Sequence, residues 1–182
     1  MPYEPPPELA SLTLAQIADL VAQRKLPAVE GWAPQAQGDS RMRIAADGTW
    51  FHDGTPITRV AMVRAFSGLL RREDDGSHWL VTPFEKLSID VEDAPFIAVD
   101  VAQTGGDLAF RLNTDDLVIA GPNNALIARG PAEMPALYLH VRRGCLARLN
   151  RSTYEQLAQI ALEAGEDWTV TSGGQSFTLQ PG

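Results

Sequence analysis

From residue 41 onward the chain is cut into short apolar segments by Gly, Pro, Asn and Asp. That punctuation restricts it to a fold built mainly from hairpins. RMRIAADGTWFHDGTPI reads as a strand, a turn at Asp47-Gly48, a second strand and a turn at Asp53-Gly54. Asp-Gly suits such turns because Gly accepts positive φ and Asp bonds the local backbone. Residues 78–82 and 86–91 read as strands, and Leu87, Ile89 and Val91 alternate with polar residues. FIAVDV, LAFRL, LVIA and LIA follow as further strands. Residues 137–149 form a hairpin pattern around Arg143-Gly144, and 167–171 and 175–179 close the chain as two strands.

Three stretches carry helical spacing. In SLTLAQIADLVAQRKLP, Leu14, Ile17, Ala18 and Val21 share one face, Thr13 can cap the start and Pro27 lies past the end. Residues 60–73 form the second, with Thr58 as N-cap and an apolar stripe of Met62, Val63, Phe66, Leu69 and Leu70. Arg71, Arg72 and Glu73 close it, the two cations complementing the helix dipole. Residues 152–164 form the third, with a capping box at Ser152 and Glu155 and a stop at Gly165. Ahead of the first helix, Pro2, Pro5, Pro6 and Pro7 predict an extended or disordered arm. Residues 27–40 read as a linker that lies on the body through Trp32.

The two halves list the same parts in the same order. A Gly-turned hairpin leads to an arginine, a helix and a Trp-initiated strand: Gly48, Arg59, the 60–73 helix and Trp79, then Gly144, Arg151, the 152–164 helix and Trp168. The expected class is therefore α+β, with duplicated hairpin–helix–hairpin units at 41–95 and 96–182 behind a helical arm and linker at 1–40. Two such units bury their apolar faces by packing together, and the cleft between them is a favoured place for a ligand.

Charge narrows the choice of partner. Fifteen Lys and Arg against 23 Asp and Glu give a net charge of −8, which argues against a nucleic-acid polymer as partner. Within this acidic chain the hairpin-to-helix segments are basic: residues 41–72 carry six Arg and two acids, and 142–151 carry four Arg and none. Arg suits carboxylate or phosphate oxygens, although most single surface arginines are solvated or paired with a nearby acid. No apolar run is long enough to cross a membrane, and MPYEPPPELA has no secretory pattern, so the expected compartment is the cytoplasm.

Recognised catalytic patterns are missing. There is no phosphate loop, no G-x-G-x-x-G, no H-E-x-x-H and no G-x-S-x-G, and no cofactor is expected. His52, His78 and His140 have no second His at helical spacing, and His140 reads as pointing away from the core. Asp90, Glu92 and Asp93 form an acidic cluster that reads as a solvated edge strand. Asp115 and Asp116 read as a turn, and Cys145 as a buried small side chain. Thr82-Pro83-Phe84-Glu85-Lys86 brings a hydroxyl, a rigid proline, an acid and a lysine into five positions. It reads either as a phosphate contact or as a surface turn with an ion pair of little consequence.

Two further runs are more specific. D-G-x-W-x-H-x-G-x-P-I-x-R stands at Asp47, Gly48, Trp50, His52, Gly54, Pro56, Ile57 and Arg59, and W-L-V-T-P-x-E-K at 79–86. With ALYLHVRRGCLARLNRSTYEQLAQIAL, they resemble an uncharacterised bacterial family catalogued as domain of unknown function 1285. The likeness covers residues 41–164. It implies an α+β fold with a duplicated core and a C-terminal half superficially like a pleckstrin-homology domain. It further implies a nucleotide-like ligand at the domain interface and a role in signal transduction.

The residues and the resemblance together predict a binding module that is not an enzyme. Arg59, Lys86 and Arg142 would meet the phosphates of a nucleotide-like anion between the units. Thr82 and His52 would supply hydrogen bonds, and Trp50 or Trp79 would stack on a base. Trp79 also reads as core, since it starts an apolar strand. One competing reading is a scaffold that docks a signalling protein partner through its edge strands, its pleckstrin-like half or its Pro-rich arm. Another is a metal-dependent hydrolase using Asp90, Glu92 and Asp93.

Overall fold

A computed structural model describes residues 4–165 and 167–181; Pro2 of the expected arm lies outside them. Among the described residues the chain forms three α-helices, two six-stranded sheets and a separate two-stranded hairpin, so the class is mixed α+β.

The first sheet contains β1 (Ala36–Ile44), β2 (Trp50–His52), β3 (Thr55–Pro56), β4 (Leu70–Arg72), β5 (His78–Val81) and β6 (Glu85–Val91). Its order is β3-β2-β1-β6-β5-β4. The second contains β7 (Phe96–Thr104), β8 (Asp107–Leu112), β9 (Leu117–Ile119), β10 (Leu126–Arg129), β11 (Ala136–Arg142) and β12 (Cys145–Leu149). Its order is β10-β11-β12-β7-β8-β9. When each set is counted from its own first strand, both sheets have the same neighbours. Two antiparallel meanders join along a parallel first-to-sixth pair, β1 with β6 and β7 with β12. All other neighbours are antiparallel.

The halves thus repeat, but not in the register that the sequence markers suggest. Helix α2 (Val60–Ser67) lies between the third and fourth strands of the first sheet, whereas α3 (Arg151–Ala164) follows the sixth strand of the second. Trp79 sits in β5, inside the first sheet. Trp168 has φ 56 and precedes β13 (Thr169–Ser172), which pairs only with β14 (Gln175–Thr178). The Arg-helix-Trp order therefore recurs at topologically different places.

Several boundaries move for physical reasons. The expected 60–73 helix stops at Ser67. Leu70, Arg71 and Arg72 then pair with Leu80, Trp79 and His78 as an edge strand, so the two arginines flank no helix terminus. Arg59, not Thr58, occupies the N-cap of α2, with no side-chain cap. At α3 the cap is Asn150, which accepts from the Thr153 amide at 2.9 Å, in place of the Ser152–Glu155 box. Gly165 does end that helix, at φ 70. Strand β1 begins at Ala36, inside the stretch read as linker, because it gains a parallel partner in β6. Strand β6 lies between β1 and β5, so Asp90 is on a central strand and not on a solvated edge.

One core spans both sheets: Ile44, Trp50, Leu70, Leu80 and Ile89 from the first meet Phe96, Phe110, Leu139 and Cys145 from the second. The β1–β2 turn is built for this contact. Gly48 has φ 90, and a Cβ there would lie 2.7 Å from Ile97 Cγ1 and 2.8 Å from Asn113 Nδ2. On the other side the tight Arg143-Gly144 turn docks on β4, where the Arg72 amide donates to the Arg143 carbonyl at 3.0 Å. The N-terminal arm also packs down. Helix α1 (Leu14–Gln23) starts at a Thr13–Gln16 capping box and buries Ile17. Leu14 packs against Gly105, and Leu20 joins Ile17 over Ala109 and Leu117, whereas Ala18 and Val21 face solvent. The Arg111 guanidinium donates to the carbonyls of Pro6 and Pro7 at 3.1 and 3.3 Å and holds the extended arm in place.

Candidate functional site

The cations singled out from sequence do not converge. Arg59 is exposed at the start of α2, while Arg142 reaches the other end of that helix and donates to the Ser67 carbonyl at 3.3 Å. Eight residues of helix, about 12 Å, separate those ends. Lys86 is engaged elsewhere: its Nζ lies 3.0 Å from Glu73 and 4.2 Å from the centroid of the Trp79 ring. Arg71 shares the same carboxylate at 2.9 Å. Hydrogen bonds from Lys86 and Arg71 hold the Glu73 carboxyl below its ordinary value.

The uncharged candidates are likewise dispersed. Thr82 closes its own turn, accepting from the Glu85 amide at 3.1 Å and donating to the Glu85 carbonyl at 3.1 Å. His52 is exposed, 3.7 Å from the Asp53 carboxylate. Trp50 is buried to 1% and stacks on Phe66 with ring centroids 6.4 Å apart, so it is a core residue and offers no face to a base. Trp79 is half-buried, covered by Lys86, with its indole N–H donating to Ser77 at 2.8 Å.

Two of the three acids in the cluster are committed to structure, and Asp90 is exposed on β6. Glu92 accepts from the Ala46 amide at 3.0 Å, and Asp93 accepts from Tyr138 at 2.7 Å and from Arg148 at 2.8 Å. Among the described residues no group of three or more His, Cys, Asp or Glu is placed to hold a metal. Cys145 is buried, and burial pushes its thiol up to about 11, outside the range of a reactive thiolate at neutral pH.

Arg142 belongs to a junction that the sequence reading missed. Asp116 is buried and accepts from Arg24 Nε at 2.6 Å, Arg64 Nη1 at 3.0 Å, Arg142 Nη2 at 3.4 Å and the Thr114 hydroxyl at 2.8 Å. Burial pushes this carboxyl up, but the charges of Arg142, Arg24 and Arg64 outweigh it and keep Asp116 ionised. The cluster ties α1 and α2, the helix of the first half, to the second sheet. Its partners stand 92, 52 and 26 residues from Asp116, which left no local pattern to read.

A sizeable space between the halves lies elsewhere. A cavity of about 770 Å³ opens where the Ala46-Asp47 turn of the first half faces β7, the 133–135 loop, the start of β11 and the start of α3. Ile97, Leu137, Leu149 and Tyr154 supply apolar wall, while Asn113, Arg148, Asn150 and Arg151 supply polar groups. Arg151 is almost fully exposed and pairs loosely with Glu155 at 3.1 Å; Arg148 is shared with Asp93. The volume is within the ordinary range for a small-molecule site, and few convergent polar groups on an apolar wall are the usual pattern.

The model for the domain of unknown function DUF1285, N-terminal domain, matches residues 27–94, and that for the protein of unknown function DUF1285, C-terminal domain, matches 95–179. The chain belongs to the DUF1285 family. Among solved structures, a DUF1285 family protein from Silicibacter pomeroyi DSS-3 is similar at 40% identity, over 91% of this chain and 94% of that one, with a TM-score of 0.78. A second, from Shewanella baltica OS155, is similar at 25% identity over 65% and 90%, with a TM-score of 0.54. No curated protein matches. DUF1285 carries no assigned activity in these relatives' descriptions. No helix among the described residues of this member is long and apolar enough to cross a membrane.

Proposed function

We propose that this DUF1285 protein is a non-enzymatic binding module for a small, nucleotide-like anion, held between its two halves in the 770 Å³ cavity and serving intracellular signal transduction. The observation that carries this reading is the cavity itself: it is a recess of small-molecule size to which both halves contribute, and one wall is the start of a 14-residue helix. In this reading Arg151 and Arg148 face the anionic end, aided by the positive end of the α3 dipole. Tyr154, Ile97 and Leu137 take the apolar or aromatic part. In this reading the second sheet with α3 packed against it would be the pleckstrin-homology-like half.

Calorimetric titration of the full chain with a panel of mono- and dinucleotides tests the idea. At least one nucleotide binds, and Tyr154→Ala together with Arg151→Glu weakens it by about tenfold or more. If no nucleotide binds at millimolar concentration, the reading fails.

A further inference from the structure

A second recess lies on the other side of the Asp93–Arg148 pair, where the β4–β5 hairpin meets the outer face of β10 to β12. It measures about 150 Å³, and its walls include Arg72, His78, Asp93, Arg129 and Tyr138. The register explains its make-up. Arg72 stands directly opposite His78 in the β4–β5 pair, so both side chains leave the sheet on one face. Gly76 turns that hairpin with φ 89 and adds no side chain to the recess it also lines. From the second sheet, Arg129 lies with its guanidinium 5.3 Å from the centroid of the Tyr138 ring.

Two features of this recess lack a counterpart. His78 Nε2 is buried and has no hydrogen-bond partner. A buried polar atom left unpaired loses the hydrogen bond it would make in water. Arg72 and Arg129 pair with no carboxylate among the described residues. The single acid in the wall, Asp93, is already neutralised by Arg148 and hydrogen-bonded by Tyr138. A water molecule would satisfy the imidazole alone, whereas an anion would also meet the Arg72 and Arg129 guanidinium groups, which are exposed at the wall of the recess. Each water takes about 30 Å³, so the space suits an inorganic oxyanion and excludes a nucleoside.

We propose that this recess binds one phosphate-type oxyanion, either free or as the phosphomonoester end of a larger molecule, with Arg72 and Arg129 balancing its charge and His78 Nε2–H donating a hydrogen bond. Arg forks are well matched to tetrahedral oxyanions. Burial and the neighbouring Arg72 charge push His78 down to about 4, so its ring is neutral near pH 7 and serves as a donor. An anion seated against Arg72 offsets that charge and moves the titration of His78 upward. The other charged or titratable groups around it are Asp93, Arg129, Tyr138 and Arg148. Arg72, His78, Asp93, Arg129 and Tyr138 line no part of the 770 Å³ cavity, so the proposal stands or falls independently of nucleotide binding there.

The test is an NMR titration of the imidazole resonances of the full chain with inorganic phosphate, against chloride at matched ionic strength, with glycerol 3-phosphate as a second arm. Phosphate moves the His78 ring signals saturably and raises its titration midpoint, while His52 and His140 stay still. Arg72→Gln and Arg129→Gln each weaken phosphate by about tenfold or more. Equal or tighter binding of glycerol 3-phosphate points to a phosphomonoester, and binding of phosphate alone to a free oxyanion. Unmoved His78 signals at about ten millimolar phosphate, equal movement of all three histidines, or unchanged affinity in both Arg variants overturns the site.

Discussion

Asp116 shows how a side chain in an ordinary-looking turn becomes the tie between distant elements. Removing it leaves Arg24, Arg64 and Arg142 with like charges and no common acceptor. Asp116→Ala is expected to cost about 3–5 kcal/mol in chemical denaturation, against a smaller loss for Arg24→Ala, whose side chain is partly exposed. His78 leads to a second prediction. Its ordinary value is 6.5 and its folded value about 4, so the unfolded chain takes up the proton first. Stability therefore falls as pH drops from 6.5 toward 4 in phosphate-free buffer, and this slope disappears in His78→Gln. Asp116 and Glu73, held low in the fold, add their losses only at lower pH, below the ordinary carboxylate values. Urea denaturation at half-unit pH steps separates the two windows.

At the scale of elements, local chemistry made most of the chain legible. Thr13 and Gln16 start α1, Gly165 ends α3, and Arg143-Gly144, with φ 52 and 76, forms the tight hairpin its sequence suggests. The misreadings arise where a distant partner decides. Leu70 ends a helical apolar stripe, and Arg71 and Arg72 read as its closing cations, but all three gain backbone bonds by pairing with β5. Ala36 to Ser40 looks like linker until β6 lies beside it. The repeat was visible in outline, yet its conspicuous markers, a helix and a Trp in each half, occupy different topological places. Shared strand order has no residue signature. The cations singled out as ligand contacts were misread for a related reason: Lys86 and Arg142 are paired with acids, Glu73 and Asp116, that are not their neighbours in sequence. Gly48 is the position where an element and the contact between halves meet. Gly48→Ala must adopt φ 90 and press on Ile97 and Asn113. It is expected to cost about 1–3 kcal/mol and to lower the melting temperature, whereas Gly54→Ala, with open space around it, pays only the backbone strain.

At the scale of the whole molecule, two sheets of one strand order share a single core and are tied at three places. The Gly48 turn meets β7, the Arg143-Gly144 turn meets β4, and the Asp116 cluster joins the second sheet to α1 and α2. The arm adds Leu9 and Ile17 over the second sheet. Such a body holds its recesses in fixed shape, which lowers the ordering cost of binding a small ligand. The most direct measurement is a ¹H–¹⁵N map of the full chain during titration with the nucleotide panel. Shifts are predicted at Asp47, Asn113, Met134 and Asn150 to Tyr154, from both halves at once. Shifts confined to the Lys86–Trp79 face, or none at saturating nucleotide, would contradict a ligand held between the halves.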